Sequence, residues 1–182
     1  MLKKEVRILG LSAPTKRKEP IPVIGVIFRG SLWLDGIFTC LLKRKRGYLS
    51  ALDKAIIQSK QYSQLRAVIL SRKQLIPGED LDITELASRI NLPVLSLIKN
   101  HHTSMTRLNG RPARSSTVSR YSIVVNGKTV WVLAAGVSFD ETRQIFAVSC
   151  AENYRIPEAV RVADLIARRV SREVLRLESS KA

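Results

Sequence analysis

Hydrophobic residues are arranged in short runs and at helical spacing along the first 70 residues. The apolar runs at 6–11, 21–29, 33–42 and 65–70 are typical of buried strands. Between the third and fourth runs, apolar residues repeat every three or four positions and predict a helix to about Ser63, with Ser50 and Asp53 as an N-terminal capping pair. The predicted order is therefore three strands, a helix and a fourth strand.

The same pattern continues to the end of the chain. It predicts a short helix over 83–90 with Asp82 as N-cap, an interior parallel strand over 94–98, and a basic loop over 99–117. Asn126-Gly127 between two apolar runs predicts a β-hairpin, and Ser138 with Glu141 forms a capping box for a helix to about Cys150. A last helix is predicted from Pro157 to about Leu177.

This last helix has two chemically different sides. At 100° per residue, arginines 161, 168 and 172 gather opposite an apolar stripe. The stripe is expected to face the core and consists of Ala159, Ile166, Val170, Val174 and Leu177.

The element order is typical of the ribonuclease-H-like α/β architecture, a mixed sheet of three antiparallel strands followed by parallel strands, flanked by helices. We expect one domain over 1–182: a βββαβαβ core (1–98), the basic loop (99–117), and an added hairpin with two C-terminal helices (118–182). In this fold the ends of the first and fourth strands meet, and nucleases place metal-binding carboxylates there. Here the strand ends read Leu11-Ser12-Ala13 and Ser71-Arg72-Lys73, without a carboxylate.

Composition adds a strong positive charge to this picture. The chain has 31 Lys and Arg against 15 Asp and Glu, a net charge of +16. Such an excess favours a polyanionic partner, most often nucleic acid, because each neutralised phosphate releases counterions. RNA and DNA are not distinguished by this sequence. The candidate phosphate-binding residues are Lys43, Arg44, Lys45, Arg46, Arg72, Lys73, Arg107, Arg111, Arg114, Arg161, Arg168 and Arg172.

Other classes of protein are disfavoured by the sequence. No run reaches the roughly 18–20 apolar residues of a membrane helix, and no secretory leader is evident, so a cytoplasmic protein that does not bind membranes is expected. Cys40 and Cys150 lie far apart in apolar segments and are expected to be buried thiols.

Several segments of the sequence, in a fixed order along the chain, are shared with a known protein family. They are 6–11, 22–30, 34–37, 64–70, 82–94, Ala134-Ala135-Gly136-Val137-Ser138, and Arg155-Ile156-Pro157-Glu158 with Arg161-Val162-Ala163. In these segments the chain resembles the archaeal endonuclease dU family, relatives of endonuclease V within the ribonuclease-H-like superfamily. The resemblance covers most of the chain outside the loops at 12–20 and 100–117.

The departures from the family pattern fall on its metal-binding positions. The resemblance implies two aspartates where this chain has Ser12 and Ala13, Asp-Gly where it has Ser71-Arg72, and a histidine at Asp164. Asp82 is the one acidic position that is retained. Mg²⁺ needs anionic oxygens, and Arg72 and Lys73 repel a cation, so no metal or cofactor is expected.

The favoured interpretation is a catalytically inactive nucleic-acid-binding protein on this scaffold, as a subunit of a larger nucleoprotein or repair assembly. An alternative is an active Mg²⁺-dependent endonuclease on DNA with uracil or hypoxanthine, which would use displaced carboxylates. A third is a scaffold protein whose basic face binds an acidic protein. The candidate displaced carboxylates are Asp35, Glu79, Asp80, Asp82 and Asp164.

Overall fold

The computed structural model describes residues 5–15, 19–43, 47–98 and 118–179, with side chains described as far as Val170. The helices and strands follow one another along the chain in the predicted order. They are β1 (Arg7–Ser12), β2 (Ile21–Arg29), β3 (Trp33–Leu42), α1 (Tyr48–Ile57), β4 (Leu65–Leu70), α2 (Ile83–Ile90), β5 (Val94–Ile98), β6 (Ser119–Val125), β7 (Lys128–Ala135), α3 (Phe139–Ser149) and α4 (Glu158–Ser179).

The described strands form one mixed sheet in the order β3-β2-β1-β4-β5-β7-β6. β1, β2 and β3 are antiparallel neighbours, β4 is parallel to both β1 and β5, and the β6–β7 hairpin adds antiparallel to β5. Leu11 is in register with Leu70, and the N–H of Ser71 donates to the Leu11 carbonyl at 2.9 Å. The ends of the first and fourth strands therefore meet, as the sequence predicted.

Side chains alternate between the two faces of the sheet and build a hydrophobic core on each. On one face, Leu9, Leu11, Val68 and Leu70 pack with the apolar sides of α1 and α2. On the other, Ile8 and the neighbouring strands pack with α3 and α4. The corner where β1 and β4 end therefore has a helix layer on each side.

The α4 helix lies unusually close to β1. A Cβ atom built on Gly10 would lie 2.2 Å from the carbonyl carbon of Ala159 and 2.4 Å from the nitrogen of Val160, so only glycine fits beneath the helix backbone. The residues buried along this helix are correspondingly small, because Ala159, Ala163 and Ala167 are each at most 1% exposed.

The predicted apolar stripe on this helix is therefore partly wrong. Ala159 is buried as predicted, and the half-buried Ile166 packs against the same core. Val170 is also only half-buried, because the close approach to β1 selects the alanines at 159, 163 and 167 for the contact. The side chains of Val174 and Leu177 lie outside the described residues.

The prediction for α1 is wrong at both ends. The helix starts after Gly47, whose φ of 113° is left-handed, and its N-terminus has no side-chain cap. Asp53 instead forms an ion pair with Arg89 of α2 at 3.2 Å. The chain leaves the helix after Ile57 and makes a short 3₁₀ turn at Tyr62–Gln64 before β4, so the apolar periodicity overran the helix by about six residues.

Local signals elsewhere are confirmed. Asp82 caps α2 by accepting from the N–H groups of Thr84 and Glu85, and Asn126-Gly127 forms the hairpin turn between β6 and β7. The Ser138–Glu141 capping box is present at the start of α3.

Cys40 and Cys150 are free thiols, the first buried and the second half-buried. Within the described residues, no helix has the length and apolar character needed to cross a membrane.

Candidate nucleic-acid interface

A chain of hydrogen bonds joins the ends of β1 and β4 to α4. The hydroxyl of Ser71 donates to Oγ of Ser12 at 2.9 Å, and Ser12 donates to Oδ1 of Asp164 at 3.1 Å. Ser12 is fully buried, while the Asp164 side chain is 26% exposed. We call these three residues the strand-end corner. The structure thus brings together three of the positions that the sequence singled out.

Two arginines flank the strand-end corner. Arg168, one turn along α4, pairs with Asp164 at 2.5 Å, and its side chain is 67% exposed. Arg72 folds inward, where its guanidinium donates to the carbonyl oxygens of Ala13 and of Gln74. Burial lowers the pKa of Arg72, and the nearby Arg168 adds to this, while Asp164 acts in the opposite direction. Arg72 remains a cation, since an arginine does not lose its proton in proteins.

A groove opens beside the strand-end corner along α4. Its volume is about 660 Å³, and we call it the α4 groove. Three arginines and one carboxylate are among its lining residues, so its walls carry a net positive charge. These charged residues are Arg72, Arg161, Arg168 and Asp164. A positively charged concave surface attracts anions such as phosphate groups.

The oxygen donors at this corner do not fit a magnesium site. They comprise one carboxylate, already paired with Arg168, and two neutral hydroxyls that bond to each other and to Asp164. Mg²⁺ needs hard, mostly anionic oxygens in a near-octahedral array. Across the described residues, no group of three or more His, Cys, Asp or Glu side chains is placed to hold a metal ion.

Three of the other four candidate carboxylates have charged or backbone partners of their own. Asp82 accepts two backbone hydrogen bonds at 2.9 and 3.0 Å as the cap of α2, which packs on the face opposite α4. Asp35 pairs with Arg7 at 2.5 Å near the start of β1, and Asp80 pairs with Lys73. The structure therefore does not place Asp82, Asp35 or Asp80 with Asp164.

The predicted cations fall into three sets. Arg72, Arg161 and Arg168 line the α4 groove. Lys43 is exposed where β3 ends, at the same edge of the sheet as the strand-end corner, and Lys73 is held by Asp80. The remaining predictions lie outside the described residues: Arg44, Lys45, Arg46, Arg107, Arg111, Arg114 and the side chain of Arg172.

Sequence reasoning missed one feature beside the groove. Glu158, whose side chain is 7% exposed, accepts two hydrogen bonds from Nε of Arg161, at 2.9 and 3.0 Å, and one from Nη2 at 2.7 Å. This carboxylate raises the pKa of Arg161. The guanidinium lies over the ring of Tyr154, 5.1 Å from its centroid. The Glu158/Arg161 spacing signals a helical ion pair, but a tyrosine before the helix carries no periodic signal.

Comparison with known proteins identifies the family. The sequence model of the endonuclease dU family matches residues 4–171. The chain belongs to the endonuclease dU family. The resemblance drawn from its residues is therefore confirmed.

Two archaeal relatives of this endonuclease dU family chain match over most of their lengths. A UPF0215 protein of Methanothermobacter thermautotrophicus is 27% identical over 91% of this chain and 88% of its own length. A UPF0215 protein of Methanopyrus kandleri is 28% identical over 94% of each.

Solved structures show the fold of this endonuclease dU family member. A protein of unknown function from Archaeoglobus fulgidus has a TM-score of 0.71 at 17% identity and covers 91% of this chain and 98% of its own. Human endonuclease V has a TM-score of 0.63 at 12% identity, covering 93% and 86%. Endonuclease V of Ciona intestinalis, bound to DNA containing an inosine followed by a ribo-adenosine, has 0.61 at 10%, covering 93% and 87%. The fold is ribonuclease-H-like, as predicted.

Proposed function

We propose that this protein binds nucleic acid in the α4 groove and does not cleave it. The observation that carries the proposal is the strand-end corner, where two hydroxyls at the ends of β1 and β4 meet one ion-paired carboxylate of α4. By the resemblance, the metal-binding aspartates of the family are expected at the ends of these two strands. Without them, the groove keeps a charge suited to the phosphate backbone and lacks the donors for metal-assisted hydrolysis.

Three further observations support nucleic acid as the ligand. The whole chain carries a net charge of +16. The α4 groove places the guanidinium groups of Arg72 and Arg168 beside the strand-end corner. A protein of the same fold, endonuclease V of Ciona intestinalis, is seen in complex with DNA. A non-cleaving binder of this kind would suit a subunit of a nucleoprotein or repair assembly.

The test is a combined binding and cleavage assay. Labelled single- and double-stranded DNA and RNA, including strands with uracil or hypoxanthine, are incubated with the protein in Mg²⁺, Mn²⁺ or EDTA over a range of salt. We expect a mobility shift that weakens steeply with salt and no cutting. Absence of any shift would refute binding. Cutting that EDTA and Asp164→Asn both abolish would instead establish the alternative, a Mg²⁺-dependent endonuclease that uses a displaced carboxylate.

A matched pair of arginine variants locates the binding surface. Arg168→Gln removes a groove arginine whose side chain is 67% exposed, and Arg143→Gln removes an equally exposed arginine of α3 at 65%. If Arg168 contacts one phosphate, its loss reduces the slope of log affinity against log salt by about 0.9 on duplex DNA and by about 0.7 on a single strand. Arg143→Gln is expected to leave that slope unchanged. Equal effects of the two substitutions would place the binding surface elsewhere.

A further inference from the structure

An exposed aromatic ring lies against one of the arginines that line the α4 groove. Tyr154, in the turn between α3 and α4, is 50% exposed. One face of its ring is covered by the guanidinium of Arg161, which also lines the groove, as does Ile156 two residues further on. The ring is therefore next to the surface proposed to bind phosphates.

The arginine behind the ring is held firmly. Glu158, the first residue of α4, is buried and binds the Arg161 guanidinium through both of its carboxylate oxygens. Since the guanidinium is fixed from one side by this buried carboxylate, it provides a stationary support for the tyrosine ring on its other side.

The backbone of the turn is fixed as well. The N–H of Tyr154 donates to the Ala151 carbonyl at 3.1 Å. The side-chain amide of Asn126, at the tip of the β6–β7 hairpin, donates to the carbonyl oxygens of both Ala151 and Tyr154, at 3.0 and 2.7 Å. The turn is thus tied to a second element of the fold, and the tyrosine is presented to solvent from a preorganised position.

A preorganised aromatic ring beside a cationic groove matches the chemistry of single-stranded nucleic-acid binding. Proteins that bind single strands combine a positive groove for the backbone with aromatic side chains on which unpaired bases stack. In a duplex the bases are stacked on one another and expose no face to a protein ring, unless one is turned out of the helix. Arg161 and Arg168 are separated by about 10 Å along α4, at about 1.5 Å per residue, so they can contact different phosphates of one strand.

We propose that Tyr154 is a stacking platform for an unpaired nucleobase, so that the α4 groove binds single-stranded segments in preference to duplex. This inference rests on the proposed function, because it assigns a base-binding position next to the proposed phosphate-binding arginines. The ligand class is a single-stranded polynucleotide, in which the phosphates contact the arginines of the groove and one base lies on the open side of the Tyr154 ring.

The experiment compares two fluorescent DNA probes of equal length and charge by anisotropy. One is a single-stranded 12-mer with bases, and the other is the same backbone with abasic residues. The wild-type protein is expected to bind the base-bearing probe about 5- to 150-fold more tightly, the range for one aromatic–base stack. Tyr154→Ala is expected to bind both probes with the affinity of the abasic one, whereas Tyr154→Phe keeps the preference.

A control variant and a comparison of the two probes on the wild-type protein alone complete this test. Trp33, 62% exposed, lies at the start of β3 at the opposite end of the strands from the groove, so Trp33→Ala should keep the preference. Equal binding of both probes by the wild-type protein overturns the inference without any variant. Tyr154→Ala with wild-type affinity for the base-bearing probe overturns it as well. Failure of the wild-type protein to bind either probe overturns the proposed function together with it.

Discussion

The contact between Gly10 and α4 predicts that Gly10→Ala is severely destabilising. The added methyl group would lie 2.2 to 2.4 Å from three backbone atoms of Ala159 and Val160. A helix backbone has no rotamer to change, so α4 must move away from β1 and lose part of the packing along its alanines. Overpacking of a core costs about 1–3 kcal/mol. Because the obstacle here is backbone, we expect the free energy of unfolding to fall by about 3 kcal/mol, near the upper end of that range.

Gly25→Ala is the matched control on the neighbouring strand. A Cβ atom there would lie 2.4 Å from the tip of the Phe38 ring, which is a half-buried side chain and can rotate away. The expected cost is about 1 kcal/mol, at the lower end for overpacking. Both glycines are in strands and gain the same methyl group, so the loss of glycine flexibility is similar in the two variants. The difference between their free energies of unfolding therefore measures the steric clash with the helix backbone.

Urea unfolding followed by circular dichroism measures both variants. With a denaturant slope of about 1–3 kcal/mol per M, a loss of 3 kcal/mol lowers the unfolding midpoint by about 1–3 M. The reasoning is refuted if Gly10→Ala unfolds within about 0.5 kcal/mol of the wild-type protein, or if Gly25→Ala proves the more damaging change.

Three other predictions follow from single contacts. Asp164→Asn removes the negative charge that pairs with Arg168, and nucleic-acid affinity measured by anisotropy should rise about two- to fivefold, as expected for one surface charge; weaker binding would contradict this. Asp82→Ala removes the acceptor for two helix N–H groups and should cost about 1 kcal/mol in urea unfolding, while Asp82→Ser restores most of it. Burial raises the pKa of the Cys150 thiol to about 12 and also raises that of Cys40. Both should therefore resist iodoacetamide at pH 8 until urea is added, and rapid native labelling would count against their burial.

Much of the fold was predictable because its signals are local. The Asn126-Gly127 turn, the Asp82 cap and the Ser138–Glu141 capping box each depend on residues a few positions apart. The rotation of α4 about its own axis was predicted only in part, since it depends on Gly10, about 150 residues away in sequence. A periodicity argument finds an apolar side of a helix, but the closest contact is decided by the shape of the partner strand.

The candidate site, like the fold, was predicted only in part from the sequence. The meeting of Ser12 and Ser71 follows from the fold class, since parallel neighbouring strands end at the same edge of the sheet. The bond from Ser12 to Asp164 was beyond the sequence, because it requires the position of α4 over β1. Tyr154 was missed for the same reason: its role depends on Arg161 and on the distant hairpin tip at Asn126.

The bond between Ser12 and Asp164 also bears on how the chain folds during synthesis. Its two residues are 152 positions apart. At roughly 5–20 residues per second, translation separates them by on the order of ten seconds. During that interval, the apolar face of β1 and β2 that α4 will cover has no helix to shield it from other nascent chains. The contacts that complete the groove are therefore among the last to form, and the high sequence separation of the α4–β1 interface predicts slow folding and a need for chaperone protection of that face until α4 has been made.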